Sequence, residues 1–201
     1  MPQWKRVTSG KYVDLLDFKP EDVNLLDIET ALNRIVRFTG HGEIQPLTVA
    51  QHSWLCWQLA SRDHPTDYEL QLAVLLHDAA EAYIGDVATP VKKALGSGWY
   101  NFAGSIERAV EQALLPAYTE DDEVLKAKVK YYDAMSLDIE RRALWKNQRG
   151  KDKWPSFSSS DNLSRKLELF QNAQFISWVG LEAITFDLWV EFNKTINTEA
   201  A

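Results

Sequence analysis

The stretch Leu75-Leu76-His77-Asp78-Ala79-Ala80-Glu81-Ala82-Tyr83-Ile84-Gly85-Asp86 constrains this chain more than any other. An apolar helix runs into an adjacent His-Asp pair, adds a carboxylate one turn later, and stops at a glycine followed by another carboxylate. Leu72, Ala73, Leu75, Leu76, Ala79, Ala80 and Tyr83 leave the helix apolar nearly all round, so it belongs in a core and carries His77 and Asp78 inward. Ionisable groups buried this way are costly unless something pairs with them. A divalent metal is one such partner. A hydrogen-bonded core histidine is the plainer reading of His77 alone, but it leaves Asp78, Glu81 and Asp86 unexplained.

Composition narrows what such a site serves. The chain has 201 residues, 45% apolar and 25% charged, which suits an ordinary globular protein of one domain over 1–201. A net charge of −7 argues against a non-specific binder of nucleic-acid polymers, while a local Arg/Lys cluster still allows an anionic small substrate. The single cysteine, Cys56, excludes an internal disulfide framework and fits a reducing cytoplasm. It reads as a core residue, with no electropositive neighbour to activate it. No apolar run follows the charges of Met1-Pro2-Gln3-Trp4-Lys5-Arg6, and no stretch approaches the roughly 20 residues that span a bilayer. The expectation is a cytoplasmic protein with no membrane partner. Eight tryptophans point to an apolar interface and a homo-oligomer.

Taken in order, the chain reads as helices. After an irregular lead-in over residues 1–26, Asp27 is placed to cap a helix over 28–38, with Ile28, Leu32, Ile35 and Val36 on one face. Arg34 and Arg37 lie one turn apart on it, either as a solvated edge or as an anion grip, before Gly40-His41-Gly42 ends it. Thr48 and Gln51 form a capping box opening a helix over 49–62, with His52 in its first turn. Thr66 and Glu69 repeat the device before the central helix, expected over 67–84. Thr89-Pro90 starts a short helix bearing Lys92 and Lys93. A further helix is expected over 99–115, and a long one over 123–147, capped by Asp121 or Asp122. The inward stripe of that long helix reads Val129, Asp133, Leu137, Glu140, an acid-bearing stripe where apolar residues are the rule. Residues 148–161 read as a loop, followed by helices over 162–170 and 181–195. No strand alternation supports a sheet, so the expected fold is an all-α bundle.

On a helix His77 and Asp78 are about 100° apart and Glu81 lies one turn beyond. His52 from the preceding helix and Asp133 from the later stripe are the further ligands this arrangement asks for, with Asp138 as a rival out of phase with that stripe. A His₂Asp₂ donor set suits Zn, Mn, Co, Ni or Fe(II). Aromatic residues such as Tyr83 and Trp99 read as core packing in preference to base stacking.

The series His52, His77-Asp78 and Asp133 resembles the metal-binding signature of the HD-domain phosphohydrolases. Ala50-Gln51-His52-Ser53, His77-Asp78-Ala79-Ala80-Glu81 and Gly85-Asp86-Val87-Ala88-Thr89-Pro90-Val91-Lys92 resemble stretches of bacterial 5′-deoxynucleotidases of that superfamily. Arg37-Phe38-Thr39-Gly40-His41 resembles the lead-in of related phage and bacterial enzymes, some of which act on dATP. Asp133-Ala134-Met135 through Glu140-Arg141-Arg142 fits the last ligand helix, so the resemblance covers about residues 27–145. It implies an HD-domain helical bundle with the metal site between central helices. Its ligands would be His52, His77, Asp78 and Asp133, with room for a second divalent ion carried by substrate phosphates. It implies that Glu81 handles the water or the leaving alcohol, that Asp86 is a second acid near the sugar, and that Arg37 binds phosphate. Lys92 would be an extra phosphate contact, Arg34 a competitor to Arg37, and His41 a contact found in part of the family. The implied activity is a 5′-deoxynucleotidase releasing nucleoside and phosphate. The alternatives are a dATP-type triphosphohydrolase and, in a different class, a non-catalytic HD binding module.

Overall fold

Thr48 opens the helix that carries the first histidine. Its Oγ1 accepts from Gln51 N at 3.2 Å, and Gln51 Oε1 accepts in return from Thr48 N at 2.8 Å. Such a reciprocal cap satisfies two otherwise orphaned backbone donors and stabilises a helix by about 1 kcal/mol. The computed structural model describes residues 1–43, 45–115, 122–145 and 163–199. The expected loop 148–161, Pro116 and Asp121 lie outside them.

Two short strands, β1 (Trp4–Arg6) and β2 (Tyr12–Asp14), pair antiparallel where no sheet was expected. Gly10, at φ +89°, supplies the turn, and Val13 is buried under the hairpin. The rest is helical: α1 (Leu25–Leu32), α2 (Val49–Asp63), α3 (Tyr68–Leu76), α4 (Glu81–Ile84), α5 (Thr89–Leu95), α6 (Ser97–Leu114), α7 (Glu123–Leu144), α8 (Leu163–Phe175) and α9 (Leu181–Glu199). The all-α architecture is as expected. No helix among the described residues is long and apolar enough to cross a membrane.

Four boundaries differ from the sequence reading. Helix α1 is capped by Asn24, whose Oδ1 accepts from Asp27 N, and it ends at Leu32 instead of running to residue 38. Asp27 instead accepts from the backbone and hydroxyl of Ser9. The central helix is capped by Asp67, not Thr66, and breaks after Leu76. Thr89 is the first residue of α5, not its cap. Asp122 does cap α7, accepting from Leu125 N at 2.8 Å.

Helix α3 is the centre of the molecule. Leu72, Leu75 and Leu76 face an apolar cluster with Ile28, Leu32, Tyr83, Ile106 and Leu188. Leu70 and Val74 face a second cluster with Leu55, Cys56, Met135, Ile139 and Phe170. A helix apolar on all sides has no face to offer to water and must be enclosed by neighbours. That enclosure brings the C-terminal end of α3 against both α2 and α7.

Candidate metal centre

After Leu76 the chain does not continue as α-helix. Ala79 N bonds Leu76 O, and Glu81 N bonds Asp78 O, three residues back in each case. This tight turn keeps His77 and Asp78 at the mouth between α2 and α7 and restarts the helix at Glu81. Gly85, at φ +83°, then ends α4 in a conformation that side chains resist, and turns the chain toward Asp86.

Four side chains from three segments converge. His52 Nε2 lies 3.3 Å from His77 Nε2, 3.5 Å from Asp78 Oδ2 and 3.3 Å from Asp133 Oδ1. His77 Nε2 lies 3.3 Å from Asp78 Oδ2 and 3.9 Å from Asp133 Oδ1. The tautomers follow from the other ring nitrogens. His77 Nδ1 donates to Val74 O at 2.9 Å, and His52 Nδ1 donates to the buried Glu140 carboxylate. Both Nε2 lone pairs therefore point at each other and at two carboxylates, four acceptors with no donor among them. Only a cation, a proton or a metal ion, reconciles them. Ligand atoms 2.0–2.2 Å from one ion sit about 3.3–3.6 Å apart in a tetrahedron, the spacing found here. Exposure rises from His52 (0%) through His77 (11%) and Asp78 (21%) to Asp133 (44%), so the centre opens on its Asp133 side.

Cys56 lies one turn after His52, and the ligand atoms of His52, Cys56 and His77 fall within 4.8 Å of one another. This buried cluster can hold a metal ion. The thiol donates to Ser136 Oγ at 3.1 Å and stands 3.5 Å and 3.9 Å from the two ring nitrogens of His52. Near-equal distances place sulfur beside the ring, off the Nε2 lone pair. Cys56 is a core residue as read from sequence, but it also flanks the centre, which its i+4 spacing from His52 foreshadowed.

Arg37 reaches the same place by a different route from the one expected. Its segment is pinned by Arg37 N to Leu47 O and Val49 N to Ile35 O, and then reverses through Phe38 and Thr39 at φ +57° and +56°. A β-branched residue in the left-handed region is strained by about 1–3 kcal/mol. Arg37 is buried, with Nε 3.2 Å from Glu140 Oε2 and Nη1 3.4 Å from Asp78 Oδ2. Burial opposes its charge, but Glu140 and Asp78 outweigh that and hold it protonated. Arg34 is not one helical turn from it; that residue is exposed on the turn after α1, and His41 is exposed beyond the reversal. Asp138 is buried but bound to Arg141 and Arg142 at 2.8 Å each, away from the histidines, so Asp133 is the residue at the centre.

The ionisation states follow from this crowding. Burial works against the Asp78 charge, but His77, His52 and Arg37 hold its carboxyl well below the usual range. Burial lowers His77, yet Asp78, by charge and by hydrogen bond, raises it to about 10. Glu81 goes the other way: burial, then Asp78 and Asp86, push it up to about 9, although Lys92 Nζ stands 3.6 Å from its Oε1. Its Oε2 is buried with no hydrogen-bond partner among the described residues. Glu81 is thus a neutral acid at neutral pH. Tyr83 is core, its hydroxyl accepting from Asn24 N, and Trp99 stands edge-on to Phe102.

Metal loading must displace the proton that the carboxylates hold on the imidazoles. At pH 8 calorimetric titration with Co²⁺ in buffers of different ionisation enthalpy is expected to show release of about one proton. Affinity should fall about tenfold per pH unit below His77's raised pKa. A heat independent of buffer would show His77 already neutral.

No family model matches the chain. An uncharacterized protein of Rhodobacter capsulatus is 37% identical to it over 145 residues, 68% of this chain and 70% of that protein. The uncharacterized protein YfdR of Escherichia coli is 33% identical over 136 residues, 68% of this chain and 69% of its own.

Proposed function

The chain belongs to one family with these two proteins, and from its site we propose that it is a divalent-metal-dependent phosphohydrolase of the HD-domain kind. Its substrate is a deoxynucleotide, cleaved at the 5′-phosphoester to nucleoside and phosphate. One observation carries the reading: the four-acceptor centre adjoins both a buried, permanently charged arginine and a neutral carboxylic acid. A purely structural metal site needs neither.

His52, His77, Asp78 and Asp133 would hold the ion, with Zn, Co, Mn, Ni and Fe(II) all suited to nitrogen and oxygen donors. Bound there, such an ion lowers the pKa of a water and draws charge from phosphoryl oxygens. The chain's own groups do the rest. Arg37 offers a planar fork to phosphate oxygens. Negative Asp86 is unsuited to phosphate and suits a sugar hydroxyl, while Lys92 adds positive charge beside Glu81. As the water oxygen bonds to phosphorus and the bond from phosphorus to the 5′-oxygen breaks, Glu81 gives its proton to that oxygen. The proton lost by the water restores the acid.

The test is a metal-by-nucleotide panel. Chelator-stripped protein reloaded with each metal is assayed on dAMP, dATP and their counterparts with product identification. Phosphate release from monophosphates only in the presence of metal is expected. Triphosphate release from dATP would move the reaction to the triphosphohydrolase class, and full turnover by stripped protein would end the metal-dependent reading. Metal uptake without turnover on any nucleotide would make the chain a binding module.

A further inference from the structure

Glu140 has no part in the chemistry above, yet it is fully buried and both of its oxygens are engaged at the centre. Oε1 accepts from His52 Nδ1, and Oε2 accepts from Arg37 Nε at 3.2 Å. These partners lie 88 and 103 residues away in the chain, one a metal-ligand candidate and the other the anion-binding arginine. Asp78 closes the loop, since its Oδ2 touches both Arg37 Nη1 at 3.4 Å and His52 Nε2 at 3.5 Å. Two carboxylates thus bracket one guanidinium and one imidazole. Of the two carboxylates, only Asp78 can also face an ion. Once it does, Glu140 is the anchor that keeps Arg37 in place with its terminal nitrogens turned outward.

We propose that Glu140 is a positioning residue that ties the metal side of the site to the anion side, fixing His52 as the Nδ1-H tautomer and Arg37 by its Nε. The inference rests on the metal-site reading given above. The chemistry of the two contacts says why glutamate is needed. Both groups facing Glu140 are donors, and a carboxylate supplies an acceptor to each. A glutamine of the same shape supplies one acceptor and one donor. If its oxygen stays with Arg37, His52 must put its proton on Nε2, into the centre. If its oxygen stays with His52, Arg37 loses its anchor. Partners of this kind behind a ligating histidine typically change metal affinity or activity 10–100-fold.

The experiment compares the full chain with Glu140→Gln. Chelator-stripped protein is titrated with Co²⁺ by calorimetry and visible absorption, then the Co²⁺-loaded protein with inorganic phosphate, with circular dichroism as the fold control. The expected result is a folded variant that loses about 10–100-fold in affinity for Co²⁺, for phosphate, or for both. A folded variant within twofold of the wild type on both counts overturns the proposal while leaving the metal site standing. Wild-type protein that takes up no Co²⁺ overturns the metal reading and this proposal with it. If the variant does not fold, the wild type answers alone. Long-range ¹H–¹⁵N spectra of the Zn²⁺-loaded protein should show His52 protonated at Nδ1, and a proton on Nε2 or exchange between tautomers would overturn the proposal.

Discussion

Replacing Glu81 with glutamine is expected to make the metal-free protein more stable at alkaline pH and the loaded enzyme nearly inactive. The folded protein keeps the Glu81 proton up to about pH 9, while an unfolded chain releases it near 4.5. Between those values the unfolded state binds fewer protons, so wild-type stability falls as pH rises across that window. Glutamine stays neutral throughout and removes this slope. At pH 8 the gain is about 2–4 kcal/mol, or roughly 5–10 °C in midpoint for a chain of this size. Below pH 4 the two proteins should coincide. Thermal unfolding of chelator-treated protein from pH 4 to 9 measures it, and parallel curves for the two proteins would refute the raised pKa. The same change removes the transferable proton, and loss of a positioned general acid lowers kcat by about 10²–10⁴. A residue that costs stability in its working state and is kept for chemistry is expected to show both effects together.

The second large effect is at Asp78. Its Oδ2 is within 3.5 Å of His52, His77 and Arg37, so Asp78→Ala withdraws one carboxylate from three partners at once. Metal content should fall from about one equivalent to near zero, and turnover to background, because three remaining donors lack the charge that holds a divalent ion. Leaving Arg37 and His77 without that shared carboxylate costs about 3 kcal/mol. Asp78→Asn keeps the shape and isolates the charge. Metal analysis by mass spectrometry and phosphate release on the responsive nucleotide read the outcome. Undiminished turnover in either variant would remove Asp78 from the site.

How much of this was legible in the sequence can be seen element by element. The Thr48/Gln51 cap, the start of α7 at Asp122 and the all-apolar character of α3 are local properties, carried by neighbours three or four residues apart. The break after Leu76 is not local. Leucine- and alanine-rich sequence propagates a helix readily, and what stops it is the placing of the His77–Asp78 turn between α2 and α7. The premature end of α1 is similar. The bridge between Val36 and Thr48 and the left-handed Phe38 and Thr39 redirect Arg37 into the interior, against intrinsic preference. Glu140 stood out in the sequence as an acid in an apolar stripe, but its partners come from far along the chain and no spacing rule reaches them.

By itself, then, the sequence determined that this chain is helical, that α3 lies at its centre, and which histidines and carboxylates had to be explained. Periodicity, caps and the cost of burying charge are enough for that. Only the tertiary structure decided that His52, His77, Asp78 and Asp133 meet within one ion's reach, that Arg37 is buried at their side and Arg34 is not, and that Glu81 is a neutral acid. Those facts depend on electrostatic distances and desolvation between segments far apart in the chain, which exist only once the helices have packed.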